Sequence, residues 1–248
     1  MTSGMQNASK SYESNSKFKY IYYNDDAVLQ FLIDNYGENS DEFHAFNNLI
    51  PFAYKIDFWR LAVLYKIGGY YSDIDSILLK DLDKWIENNA TMVLPVGYAS
   101  FAWFGFEFAF IGSIPHHPLL RIAMDMIIYN VKNKYIPEVP RKLHELDLFL
   151  KFVTISGPVL MGKAFNRYMN EPDEAPHNIV KGRREGFQFL GFCDNGIKYF
   201  TTIPHQRDYR ECRGEIVIQF RYEEYRQERR KSYKPYWASF KEGNIFKT

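Results

Sequence analysis

Along the chain, a run of β-forming residues, Phe18-Lys19-Tyr20-Ile21-Tyr22-Tyr23, predicts a strand. Asn24-Asp25-Asp26 then supplies turn and N-cap chemistry, and a helix is predicted over Ala27–Tyr36, closed by Gly37. The strongest helical period spans Pro51–Ile67. Ile56, Trp59, Val63 and Ile67 recur on one face, and Asp57, Arg60, Leu61 and Leu64 on an adjoining one. Gly68-Gly69 stops this helix. Tyr70–Leu79 is predicted to be extended, and Asp81–Trp85 to begin a short helix. Further strands are predicted over Thr91–Val96, Glu107–Gly112, Phe187–Leu190, Lys198–Thr202 and Ile216–Phe220. Further helices are predicted over Pro118–Lys132, Glu145–Phe152 and Val159–Met169, the last two separated by Ser156-Gly157-Pro158. Residues 170–186 carry the Pro, Asp and Gly of a loop. Residues 1–17 read as a loose or helical lead-in and residues 221–248 as a C-terminal tail.

Strands alternating with helices predict an α/β domain whose mainly parallel sheet is covered on both sides. Such sheets bind ligands at the carboxyl ends of their strands, where Tyr70–Leu79 would deliver its carboxylates. The length of 248 residues suits a single domain spanning residues 1–248. A formal net charge of +1 argues against a nucleic-acid partner. Aromatic residues reach 18%, which core packing explains in the main and stacking on sugar or base at a few positions. Cys193 and Cys212 make neither a metal knuckle nor a disulfide framework. No apolar run approaches the roughly 20 residues of a membrane span. The polar, Ser/Asn-rich start is no signal peptide, so a cytoplasmic location is expected.

The chemistry centres on Asp73 and Asp75. Two residues apart in extended backbone, they point to the same side and can present two carboxylates to one site. A hard divalent cation takes oxygen ligands, few of them from the protein when phosphate and water supply the rest. An isolated Asp-x-Asp recurs by chance and reads first as a pair of solvated turn carboxylates. Asp57 and Arg60, one helical turn apart, by themselves read first as an ordinary intrahelical ion pair.

The surrounding string changes that balance. Asp57, Arg60, Leu64, Gly68, Gly69, Tyr71, Asp73 and Asp75 fill each position of Asp-x-x-Arg-x-x-x-Leu-x-x-x-Gly-Gly-x-Tyr-x-Asp-x-Asp. This string resembles the DXD sugar-binding region of a glycosyltransferase group. That group includes yeast-type initiating mannosyltransferases, capsular polysaccharide and lipopolysaccharide transferases, and clostridial toxin glucosyltransferases. Tyr22–Asp26, Phe110–Pro118 and Ser156-Gly157-Pro158 extend the likeness over roughly residues 18–170, with an echo at Tyr233–Trp237. The resemblance implies a GT-A fold, Mn²⁺ or Mg²⁺, a nucleotide-sugar donor (a UDP-sugar or GDP-mannose) and retention of anomeric configuration. The implied acceptor is a glycan, lipid-linked sugar or protein. By the same resemblance Asp57, Arg60 and Tyr71 belong to the donor site, Asp73 lies near ribose and metal, and Asp75 is the direct metal ligand.

Three features depart from the group. An apolar first strand, which there helps hold the nucleobase, does not precede Phe18 in this sequence. Glu107-Phe108 stands where an Asn is usual, so Glu107 is either a substitute polar contact in the catalytic set or an edge residue. The C-terminal tail, expected to close over the site, carries Ser232-Tyr233-Lys234-Pro235-Tyr236-Trp237 where the group has a His-containing motif closing in Ser-Trp, and the His is missing. Trp237 therefore either stacks over the nucleotide or packs on the domain. His205 is a weaker metal candidate. The basic run in Arg221–Lys234 is a solvated face, or instead binds a diphosphate or makes a peripheral contact with anionic lipid. A non-catalytic nucleotide-sugar-binding protein is the alternative reading. A hydrolase is disfavoured, because Asp73 and Asp75 are too close in sequence for its paired carboxylates.

Overall fold

The computed structural model describes residues 3–15, 17–96, 105–138, 153–191, 209–220, 222–232 and 245–247. The helix expected over Glu145–Phe152 and the strand over Lys198–Thr202 lie outside these residues, as do His205 and Trp237. The described elements run α1 (Ser3–Glu13), α2 (Asp25–Tyr36), α3 (Asp41–Asn48), α4 (Phe52–Ile67), β1 (Gly69–Ser72) and β2 (Ser76–Leu78). They continue with α5 (Leu82–Trp85), β3 (Met92–Pro95), β4 (Phe110–Ser113), α6 (Pro118–Lys132), α7 (Pro158–Tyr168) and α8 (Ile179–Arg184). The last are β5 (Phe187–Leu190), β6 (Tyr209–Cys212), β7 (Glu215–Phe220) and α9 (Glu223–Ser232).

The architecture is mixed α/β. One sheet has the order β1-β4-β3-β5 and a second, smaller one the order β2-β7-β6. In the larger sheet β4 runs antiparallel to both neighbours, and β3 pairs with β5 in parallel. Among the described residues the expected mainly parallel sheet is thus a mixed one with a single parallel pair. β3 and β5 are buried along their whole length; Met92–Leu94 reads as a continuous apolar run, whereas β5 buries a polar residue, Gln188, whose amide donates to the Trp85 carbonyl at 2.8 Å.

α4 is the central helix. Phe58, Leu61, Ala62 and Leu64 are buried together with Trp59 and Val63, so its apolar surface extends most of the way round. It packs against α6, which packs in turn against α7. Gly68 ends α4 at φ +68°, and its N–H closes on the Leu64 carbonyl at 2.8 Å. An added Cβ there would lie 2.7 Å from Pro115 Cδ, so chain conformation and close packing both demand glycine.

Several expectations change. Tyr70–Leu79 is not one extended run but two strands in different sheets, β1 and β2, joined by a turn carrying Asp73 and Asp75. Phe18–Tyr23 belongs to no strand. The lead-in takes the helical of its two expected forms, as α1, and much of the basic run forms a helix that was not expected, α9. Two further short helices were unexpected. Ser40 caps α3 by accepting from Phe43 N–H at 3.0 Å, and Asn178 caps α8 by accepting from Lys181 N–H at 3.0 Å. No helix among the described residues is long and apolar enough to cross a membrane.

Candidate functional site

Arg60 organises the site from beneath. Four residues after Ile56 on α4, its Nε donates to that residue's carbonyl at 3.2 Å, an ordinary one-turn reach. Its Nη1 donates to the Phe108 carbonyl across 48 residues of sequence. Its Nη2 lies 3.4 Å from Asp57 Oδ1 and 3.4 Å from Asp73 Oδ1. The guanidinium also lies over the Tyr71 ring, 4.7 Å from its centroid, and near the Phe108 ring at 5.4 Å. The Arg60 side chain is only 7% exposed, against 15% for Asp57 and 33% for Asp73. A guanidinium so deep needs both carboxylates to balance its charge.

Burial raises the Asp57 carboxyl to about 6, against the opposing pull of Arg60 and of the Ser156 hydroxyl. Ser156 Oγ donates to Asp57 Oδ2 at 3.0 Å. Burial pulls the Arg60 pKa down, but Asp73 first, then Tyr71 and Asp57, hold it above the ordinary arginine value. Burial likewise lifts the Tyr71 phenol well above its usual range. That phenol therefore keeps its proton and donates it to Asp73 Oδ1 at 2.7 Å. Asp73 N–H donates to the Ala109 carbonyl at 2.8 Å, continuing the β1–β4 ladder one residue past β1.

Above this layer lies a groove of about 530 Å³. Tyr23, Trp59 and Tyr71 form its aromatic side, and Asp73 and Asp75 line it together with Tyr12 of α1. Trp59 stands between the other two rings, at centroid distances of 5.1 Å from Tyr23 and 6.0 Å from Tyr71. Asp57, Arg60 and Glu107 do not line the groove.

The structure therefore brings Asp57, Arg60, Tyr71 and Asp73 into one connected network, with Asp75 two residues on. Glu107 stands apart from them. It pairs with Arg210 of β6, whose guanidinium lies over the Phe220 ring at 4.8 Å. Trp237 lies outside the described residues. Sequence reasoning missed Tyr12, Ser72 and Ser76, whose hydroxyls meet beside the carboxylate turn. A signal for Tyr12 was available, because Gly4, Ala8 and Tyr12 recur every fourth residue on one helical face.

Among the described residues, no group of three or more His, Cys, Asp and Glu side chains is arranged to hold a metal ion. Asp73 and Asp75 nevertheless fit a hard cation whose other ligands are phosphate and water. They supply oxygen donors only, they line an open groove, and Asp73 is fixed through Oδ1 by Tyr71 and Arg60.

Residues 3–92 match the family described as "Glycosyltransferase sugar-binding region containing DXD motif". Inositol phosphoceramide mannosyltransferase 1 of Schizosaccharomyces pombe is 27% identical over 161 residues, 63% of this chain and 43% of that protein. The initiation-specific alpha-1,6-mannosyltransferase of Saccharomyces cerevisiae is 35% identical over 72 residues, 29% of this chain and 15% of that protein. The chain thus spans less than half the length of these curated relatives. A solved structure, PaToxG Glycosyltransferase, aligns with 74% of this chain and 78% of its own, at 14% identity and a TM-score of 0.46.

Proposed function

We propose that this chain is the GT-A-type catalytic domain of a metal-dependent, retaining glycosyltransferase. It would transfer a hexose, with mannose the first candidate, from a nucleoside-diphosphate sugar to a hydroxyl on a glycan or lipid-linked acceptor. The observation that carries this reading is the carboxylate turn. Asp73 and Asp75 line the groove while a buried guanidinium and a phenol hold Asp73 from behind. The names of the matched relatives support the choice of a mannosyl donor.

In this reading Asp75 and Asp73 hold the cation, Mn²⁺ or Mg²⁺. When bound, that cation neutralises charge on the departing diphosphate. Arg60, 3.4 Å from Asp73, adds a fixed positive charge beneath the same point, with Asp57 setting its orientation. Tyr71 keeps one oxygen of Asp73 engaged, so the carboxylate is oriented before ligand arrives. The Tyr23–Trp59–Tyr71 wall offers aromatic faces to sugar or base. The acceptor hydroxyl attacks the anomeric carbon on the face the nucleotide leaves, and the leaving phosphate oxygen takes its proton. No separate base is needed. Glu107, occupied by Arg210, is proposed to fix β6 at the flank of the site, and Trp237 to cover the donor.

The test is a thermal-shift and hydrolysis screen of GDP-mannose and UDP-sugars with Mn²⁺ or with EDTA. A donor that stabilises the protein and is slowly hydrolysed only with metal supports the transferase. Asp75→Asn should abolish both responses while the far-UV spectrum and Tm without ligand stay unchanged. Stabilisation without turnover across an acceptor series would favour the non-catalytic binding alternative. Full metal-dependent turnover by Asp75→Asn would remove Asp75 from the metal site.

A further inference from the structure

The N-terminal helix reaches into the carboxylate turn. Tyr12 near the end of α1 places its hydroxyl 2.6 Å from Ser72 Oγ and 2.9 Å from Ser76 Oγ, and the two serine oxygens are 2.5 Å apart. Ser76 Oγ is also 2.6 Å from the Asp73 carbonyl. Three hydroxyls thus share four contacts with only three protons. The carbonyl can only accept, so Ser76 must donate to it. Two protons remain for the three contacts among Tyr12, Ser72 and Ser76. Assigning them to the two shorter contacts gives one directed chain, from Tyr12 to Ser72, to Ser76, to the Asp73 carbonyl. The contact left without a proton is the longest of the four.

Burial pushes the Tyr12 phenol up to about 12, and the nearby Asp73 and Asp75 charges act in the same direction against the Ser72 and Ser76 hydrogen bonds. The phenol therefore keeps its proton at neutral pH and has it available to donate. α1 itself is held at both ends. Ser11 Oγ accepts from Leu78 N–H of β2 at 2.9 Å, and at the start of α1 a Cβ on Gly4 would meet the Tyr222 ring at 2.9 Å. Ser76 N–H also donates to the Asp73 carbonyl, at 3.1 Å, closing the turn. The single oxygen that sets the direction of the Asp73–Asp75 turn is therefore gripped from two sides, one of them the hydroxyl chain that starts on α1.

We propose that Tyr12 is a positioning residue that presets the Asp73–Asp75 turn for a divalent cation by fixing the Asp73 carbonyl through Ser72 and Ser76. The proposal rests on the metal reading of that turn. It makes α1 part of the site, although α1 supplies no ligand to the metal.

Tyr12→Phe removes the first donor and keeps the ring. Ser14→Ala, at an exposed position just after the helix, is the control. Two measurements are made on each protein. Free Mn²⁺ is followed by electron paramagnetic resonance during titration with MnCl₂ in the presence of the active donor, alongside the Mn²⁺ dependence of turnover. Hydrogen exchange of the Asp73–Ser76 amides is followed without metal. Tyr12→Phe should raise the half-saturating Mn²⁺ about tenfold, as expected for one broken hydrogen bond in the chain. At saturating Mn²⁺, kcat should stay within about twofold of wild type, and the turn amides should exchange faster before any metal is added. Ser14→Ala should match wild type in all three. Equal Mn²⁺ titration and equal exchange in Tyr12→Phe and wild type would overturn the role of Tyr12. A wild-type chain that takes up no Mn²⁺ would overturn the metal reading and this role with it, and differs from the first failure because it appears before any substitution is made.

Discussion

Replacing Arg60 by methionine isolates a buried guanidinium balanced by two carboxylates. Methionine fills much of the same space and keeps helix propensity, so packing loss is small. The substitution removes a guanidinium that faces Asp57 and Asp73, both at 3.4 Å, and donates to the Ile56 and Phe108 carbonyls. Breaking a buried pair on one side typically costs about 3–5 kcal/mol, because the partner is left charged and unmatched. For a chain of this size that lowers Tm by roughly 10 °C. The cost depends on pH. Asp57, already raised to about 6, is raised further once Arg60 is gone, so the variant relieves its unpaired charge by binding a proton. In wild type the same carboxyl gains a proton in acid and loses its pairing with Arg60. The penalty of Arg60→Met should therefore be largest at alkaline pH and shrink as pH falls toward about 6, where the wild-type carboxyl takes up a proton too. Adding Asp57→Asn should remove part of it, with a coupling of about 1–3 kcal/mol between neighbouring sites. Urea unfolding followed by tryptophan fluorescence at pH 8 and pH 5 measures all four corners of this cycle. A loss below about 1 kcal/mol at pH 8, or one of equal size at both pH values, would refute the account.

His177 is stacked on Phe106 with centroids 4.6 Å apart, and its Nδ1–H donates to Asn166 Oδ1 at 2.9 Å. Burial lowers its pKa to about 3. The folded state thus resists a proton that the unfolded chain accepts near 6.5, so stability is present above that pH and lost as pH falls toward 3. His177→Gln should flatten the acid side of the Tm–pH curve by up to about 1.4 kcal/mol per pH unit, and an unchanged slope would count against a neutral buried imidazole. Gly68→Ala combines a φ of +68° with a Cβ 2.7 Å from Pro115 Cδ. It should cost about 2–4 kcal/mol in urea unfolding, whereas a loss under 1 kcal/mol would mean the α4–β1 corner yields easily.

The long helices were legible because a helical period repeated over four turns leaves little choice. Pro118–Lys132 is observed with the bounds expected, and α4 begins one residue later than expected. α3 and α8 were missed because eight and six residues carry too few turns for a period to emerge. Their caps, Ser40 and Asn178, were the available signals. β6 depends on pairing with β7 across a turn at Arg213-Gly214, a tertiary fact that its own residues do not announce. The network of Asp57, Arg60, Tyr71 and Asp73 was legible as a set through spacing. The carbonyl of Phe108 and the hydroxyl of Ser156 were not, because they arrive from 48 and 99 residues away.

The carboxylate turn shows how correct residues can follow from an incorrect local geometry. Alternation along an extended strand was the argument for joining Asp73 and Asp75 in one site, yet the chain turns there and passes from one sheet to the other. What joins them instead is the Ser76 N–H and hydroxyl closing on the Asp73 carbonyl, with Tyr12 behind. A serine three residues after an aspartate is too common to be read as a turn until its partners are seen. Phe18–Tyr23 fails in the opposite way. Five of its six residues have strong strand propensity, but propensity measures fit to a neighbouring edge, and a strand forms only where one is offered. Beside it lies the groove rather than a ladder, with Tyr20 and Tyr22 among the lining residues. Residues that would stabilise a sheet by pairing instead give this groove an aromatic wall, which is where the high aromatic content bears on ligand rather than on core.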